Sequence, residues 1–157
     1  MRPFDKRRLL AAIAVGSMLT AACTGDAVRA ETETPLTRTA QDAALQWGPC
    51  PELFPAGCEI AVLHGNPAQA NADVFLRVPG GYQLPAHSHT SVERMILVSG
   101  ELNVQYQGAE AAVLSAGEYA FGPAGLPHGA SCVSSDPCTL FIAFVGPVDA
   151  LAFEGAL

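Results

Sequence analysis

From about residue 58 the apolar positions come in short runs, each closed by turn-forming residues. CEIAVLHG stops at Gly65-Asn66-Pro67 and ADVFLRV at Pro79-Gly80-Gly81. VERMILVSG, ELNVQYQG and AEAAVLSAG each end in glycine. EYAFGPAG is followed by HGASCVSSDPC, which reads as a hairpin-like turn, and then by TLFIAFVGP. Runs rich in Val, Ile, Leu and Phe, spaced by 8 to 12 residues, predict an all-β barrel or sandwich. The tail VDALAFEGAL is read as a last strand or a short helix. This part has no sustained helical periodicity, no internal repeat and no nucleotide-binding glycine loop.

The first thirty residues follow another pattern. MRPFDKRR is basic, and LLAAIAVGSMLTAA is an apolar run of 14 residues, too short for a span of about 20 and typical of the centre of a signal peptide. LTAAC offers a lipobox-like end at Cys23, which would be lipidated; Val28-Arg29-Ala30 offers ordinary cleavage after Ala30. Arg7-Arg8 also permits twin-arginine export. The organisation expected is therefore a signal segment over 1–30, a flexible tether and lead-in loop over 31–48, and a barrel over 49–157. The place of the protein is then the cell envelope or periplasm, as a lipoprotein, or outside the cell as a secreted chain.

Without Cys23, four cysteines remain, and four allow three connectivities. The close pairs in CPELFPAGC and CVSSDPC favour Cys50–Cys58 and Cys132–Cys138. Neither has zinc-ribbon spacing, so structural disulfides of an exported protein are favoured over thiolate ligands. Beyond residue 30, three arginines and no lysine stand against 13 carboxylates, a net of −10. Such a chain repels phosphate backbones, which excludes nucleic acid as a partner.

The chemistry concentrates in GGYQLPAHSHTSVERMILVSG. His87 and His89 are two apart, so on a strand they project to one face, and continuing that alternation brings Glu93 to the same side. A neighbouring strand must complete the set. His128 is the candidate, because GPAGLPH is a tight turn into an apolar run. Three neutral imidazoles and a carboxylate can hold a divalent transition metal and leave positions for water, a small ligand or dioxygen. His64 reads as a surface residue at a strand end, and Glu101 and Glu118 as solvated beside turn glycines. If Phe75 and Arg77 face the interior, Arg77 can pair with a substrate carboxylate; the alternative is an outward arginine. Tyr82, Met95, Phe121 and Phe141 either line a cavity or pack the core.

The spacing Gly81-x5-His87-x-His89-x3-Glu93-x6-Gly100 resembles the first cupin motif at every specified position. Gly117-x5-Pro123-x-Gly125-x2-His128 resembles the second motif up to its histidine. The asparagine that normally follows four residues later is replaced by Cys132. The 16 residues between Gly100 and Gly117 are a spacer like that of small bacterial cupins. The resemblance implies a double-stranded β-helix, or jelly roll, with His87, His89, Glu93 and His128 as ligands to Fe, Mn, Ni or Zn. It also implies a homodimer formed by sheet-to-sheet packing. A cupin barrel does not fix a reaction. Two functions follow: a metal-dependent oxygenase acting on a small organic substrate, similar to flavonol-type and aromatic-ring-cleaving cupins, with Glu93 as ligand or base; or a non-catalytic metal- and ligand-binding or sensing module at the envelope. Regulatory zinc cupins normally carry a partner-binding region where this chain has a tether, which argues against an anti-sigma role.

Overall fold

A computed structural model describes residues 34–157. The Arg7-Arg8 pair, the lipidation position Cys23 and the cleavage position after Ala30 lie outside the described residues. Eleven strands and no helix are present among those described. They are β1 (Trp47–Pro49), β2 (Glu59–His64), β3 (Ala72–Val78), β4 (Gln83–Ser88), β5 (Glu93–Ser99), β6 (Glu101–Tyr106), β7 (Ala112–Ser115), β8 (Tyr119–Gly122), β9 (His128–Cys132), β10 (Cys138–Phe144) and β11 (Leu151–Ala152).

Two sheets form, one in the order β1-β2-β3-β10-β5-β8 and the other in the order β11-β4-β9-β6-β7. Every pairing is antiparallel. The protein is an all-β jelly roll. Strands β3, β5, β6, β8 and β10 place alternate side chains between the sheets. In β3 these are Val74, Leu76 and Val78, which meet Met95 and Leu97 of β5, Leu102 and Val104 of β6, and Leu140, Ile142 and Phe144 of β10. The tail settles as a strand: β11 pairs with β4 through Leu151↔Ser88 and Ala152↔His87.

The same alternation turns Phe75 and Arg77 to the outside of the barrel. Arg77 is therefore not a cavity residue. Its Nη2 lies 2.6 Å from Glu59 Oε2, and its guanidinium stacks over Trp47 at 4.1 Å. Phe75 and Phe141 join Ala40, Leu45 and Ala61 in a second apolar cluster on that outer face. From Ala40 onward, the stretch expected as tether and lead-in loop is thus packed against the sheet. Phe121 is 48% exposed on β8, so it neither lines a cavity nor packs the core. Tyr82 is a core residue, and its hydroxyl donates to the Pro55 carbonyl.

HGASCVSSDPC is not a hairpin. β9 pairs with β4 and β6, whereas β10 pairs with β3 and β5, so the turn carries the chain from one sheet to the other. The Cys132–Cys138 disulfide closes this crossing where the family motif has asparagine, and both cysteines are buried. Gly100 permits it. Its φ is +87°, and a Cβ there would stand 2.8 Å from Cys138 Sγ. A cross-link over so short a loop stabilises by about 2–3 kcal/mol through the unfolded chain. The Cys132→Ala/Cys138→Ala variant is expected to lose about that much in urea denaturation, with the midpoint shifted and the slope nearly unchanged.

Candidate metal centre

His87 lies in β4 directly opposite His128 of β9, with ring centroids 4.4 Å apart. His89 follows the end of β4, and its ring centroid is 4.9 Å from that of His87. All three imidazoles are buried, and their donor nitrogens lie within 4.8 Å of one another. Glu93 reaches this group by another route than strand alternation. The chain leaves one sheet at Ser88 and enters the other at Glu93, so Glu93 faces the histidines across the barrel. Glu93 Oε2 is 3.4 Å from His89 Nε2, and Oε1 is 3.1 Å from His128 Nε2.

The local backbone aims each ring. His87 Nδ1 donates to the Pro85 carbonyl at 2.7 Å, His128 Nδ1 to that of Leu126 at 3.2 Å, and His89 Nδ1 to that of Asp149. A carbonyl only accepts, so each Nδ1 carries a proton, which leaves Nε2 as the ligating nitrogen whenever the ring is neutral. This is the outer arrangement that orients metal-bound histidines. An aromatic ring backs each imidazole as well: Phe54 for His87 at 4.9 Å, Phe144 for His89 at 5.3 Å and Tyr106 for His128 at 5.3 Å.

These residues fit a divalent cation. Glu93 is 2% exposed, and its Oε1 has no hydrogen bond of good geometry despite the nearby His128 nitrogen. A buried carboxylate oxygen without a partner is costly, and a cation among three imidazoles would satisfy it. The Tyr106 hydroxyl is also buried without a partner. Burial first, and then the charge of Glu93, pushes its pKa up.

The protons of the site follow from its burial and charge. Desolvation, with added repulsion from His128, lowers His87 to about 4. Burial lowers His128 too, but its contact with the Glu93 carboxylate outweighs this and raises it above the ordinary value. For Glu93, burial raises the pKa, but the His128 contact and the charges of the three histidines leave it lowered. In the metal-free protein, His87 binds fewer protons folded than unfolded between pH about 4 and 6.5. It therefore stabilises fully above pH 6.5 and loses that contribution as pH falls through 4. His128 has the opposite sign: its contribution is present below 6.5 and lost as pH rises through its raised value. A cation must displace the His128 proton. Metal affinity is expected to fall about tenfold per pH unit on acidification below that raised value. Titrations with zinc in buffers of different ionisation enthalpy should find about one proton released per ion there.

Beside this group lies a cavity of about 60 Å³. Its walls are mostly apolar, among them Phe54, Leu84, Met95, Val104 and Ile142. No arginine or lysine is among its lining residues. Several residues of the site were not singled out from the sequence. Phe54 lies between two disulfide cysteines in a proline-rich loop, a position that carries no ligand pattern. Asp149 is 60 residues from His89 and touches it only because β11 docks beside β4. Its carboxylate also takes the Thr90 amide at 2.9 Å and the Thr90 hydroxyl at 2.5 Å, fixing the loop between the ligands. Gly122 lies opposite Glu93, close enough that a Cβ would stand 2.5 Å from Glu93 Oε1.

Solved structures share this architecture. An RmlC-like cupin from Shewanella frigidimarina is 24% identical, with 67% of this chain and 86% of that chain covered and a TM-score of 0.56. DMSP lyase DddQ from Ruegeria pomeroyi is 22% identical, covers 73% of this chain and 64% of its own, and gives a TM-score of 0.62. An oxalate oxidase is 18% identical over 63% of this chain and 56% of its own, with a TM-score of 0.53. At these identities the likeness is one of fold. No curated protein matches the sequence. Residues 37–148 match the family described as the ChrR cupin-like domain. With its jelly roll and both motif histidine groups in one buried cluster, the chain belongs to the ChrR cupin-like family within the cupin superfamily.

Proposed function

We propose that this chain is an exported metal-binding cupin that holds one divalent transition ion through His87, His89, Glu93 and His128 and admits one small ligand beside it. The observation that carries the reading is the buried three-histidine group with the unpartnered Glu93 Oε1 against it. A bound ion would supply Lewis acidity and an open position for a ligand. The chain contributes a fixed tautomer at each histidine, a carboxylate that offsets the ion's charge, and walls that exclude water.

Non-catalytic binding or sensing is the better supported form of this function. Catalytic pockets usually carry a few polar groups that orient substrate. Apart from the candidate ligands and Asp149, the lining residues here are apolar, and Arg77 is turned away. The oxygenase reading is favoured by one feature, the carboxylate among the imidazoles, since Glu93 can serve there as ligand or base. The similar structures named a lyase and an oxidase differ in chemistry, so fold does not choose between these readings.

Metal content by mass spectrometry of protein purified without added metal tests the core of the proposal. About one zinc, iron, manganese or nickel per chain is expected. Oxygen uptake after iron or manganese reconstitution, with catechols, flavonols and 1,3-diketones, separates the two readings. Turnover would overturn the non-catalytic one, and zinc occupancy without turnover would sink the oxygenase.

Export belongs to the same proposal. Two disulfides fit an oxidising compartment. Lipidation at Cys23 predicts a membrane-fraction protein whose mass includes acyl chains; cleavage after Ala30 predicts a soluble one. A homodimer is also included, through the outer face of β5 and β8 where Ile96, Val98, Tyr119 and Phe121 are exposed.

A further inference from the structure

The loop from Cys50 to Cys58 connects β1 to β2 and is folded back on the barrel. A disulfide joins its ends, and the Cys50 amide donates to the Cys58 carbonyl at 3.2 Å. Within it the Phe54 amide donates to the Pro51 carbonyl at 2.9 Å. Outside it the Tyr82 hydroxyl donates to the Pro55 carbonyl, and Gly57 approaches the ring of Pro79. These ties hold Phe54 inward: the residue is 9% exposed, and its ring meets the His87 ring edge-on at 4.9 Å. Cys50, Pro51 and Phe54 all line the cavity beside the histidines.

The geometry points to Phe54, held in place by the Cys50–Cys58 loop, as the residue that sets the size of the ligand admitted to the metal-side cavity. The inference rests on the proposed metal-binding reading and specifies the class of ligand. The cavity measures about 60 Å³. That is small beside the roughly 300–1,000 Å³ of pockets that take drug-sized ligands. Its walls offer an incoming molecule mostly apolar contact and no arginine or lysine to pair with an anionic tail. The ligand class is thus a compact molecule, with one donor atom for the metal and no bulky or anionic extension. Removing the Phe54 ring joins its volume to the cavity. A truncated large side chain in an apolar interior can leave a dry space on the order of 150 Å³ that takes benzene.

Two measurements test this, and only one of them requires metal. In metal-free protein, saturating benzene should leave the wild-type melting temperature unchanged and raise that of Phe54→Ala by a few degrees. In cobalt-loaded protein, the visible spectrum should report azide and imidazole binding to wild type, with 4-phenylimidazole at least about tenfold weaker than imidazole. Phe54→Ala should abolish that discrimination. Cys50→Ser/Cys58→Ser, which keeps Phe54 but frees its loop, should weaken it. This second variant and Phe54→Leu preserve the test if Phe54→Ala does not fold. Equal binding of imidazole and 4-phenylimidazole by wild type, or unchanged discrimination in folded variants, overturns the inference. If wild type takes up no cobalt, the metal reading fails, and the benzene response alone decides whether Phe54 limits the cavity.

Discussion

His128→Gln is expected to strip the protein of its divalent ion while leaving the barrel folded. His128 stands at the centre of the cluster. It pairs with His87 across β4 and β9, and its Nε2 is 3.1 Å from Glu93 Oε1. Glutamine keeps polarity and much of the volume but offers no imidazole lone pair. Loss of an outer partner to a metal ligand already costs 10–100-fold in affinity, so loss of a ligand should exceed about a hundredfold, or roughly 3 kcal/mol. After dialysis, metal content should drop from about one per chain to a small fraction. His64→Gln, at the exposed end of β2, is the matched control and should retain the full amount. Far-UV circular dichroism and the melting temperature of metal-free protein show whether the fold is kept. A folded His128→Gln protein with full metal content would rule out the assignment of His128 as a ligand.

Much of the barrel was readable because its strands are short, apolar and punctuated. Glycines at turn positions bracket the ligand segments, and several require a left-handed backbone: Gly81 has φ 74°, Gly117 91° and Gly125 73°. The His87–His89 spacing put two imidazoles on one side in sequence and in space. Glu93 shows where local periodicity stops being informative. Its convergence with the histidines depends on a change of sheet between Ser88 and Glu93, a long-range event that alternation does not encode. Arg77 shows the same limit from the other direction. Which face of β3 points inward depends on Ala40, Leu45 and Trp47 covering the outer one, and a polar stretch before Trp47 resembles a tether. The turn between β9 and β10 reads as a hairpin because sequence does not show which strands pair on either side of it. The disulfide joins the sheets instead.

Gly122→Ala is expected to impair the metal centre without touching a ligand. Gly122 of β8 is the register partner of Glu93 in β5. A Cβ there would stand 2.5 Å from Glu93 Oε1 and 2.6 Å from its Cγ, both below any stable contact. The carboxylate tip alone cannot relieve the clash, because the Cγ is involved and Glu93 is buried on every side. Either Glu93 leaves its position beside His89 and His128, or β8, the edge strand of its sheet, moves outward. Overpacking of this kind costs about 1–3 kcal/mol. If Glu93 moves, metal affinity should fall about 10–100-fold, the range for a ligand lost from its proper orientation. If the strand moves, stability falls while affinity is kept. The two are separable by measuring zinc affinity by competition and unfolding of the metal-free protein by urea. Because Glu93 is a strand-end side chain and β8 is tied to β5 through four register pairs, the first outcome is the one expected. The double variant Gly122→Ala/Glu93→Ala provides the check. Truncation at Cβ removes both the Oε1 and the Cγ contacts and should recover part of the stability that the metal-free protein loses in Gly122→Ala alone.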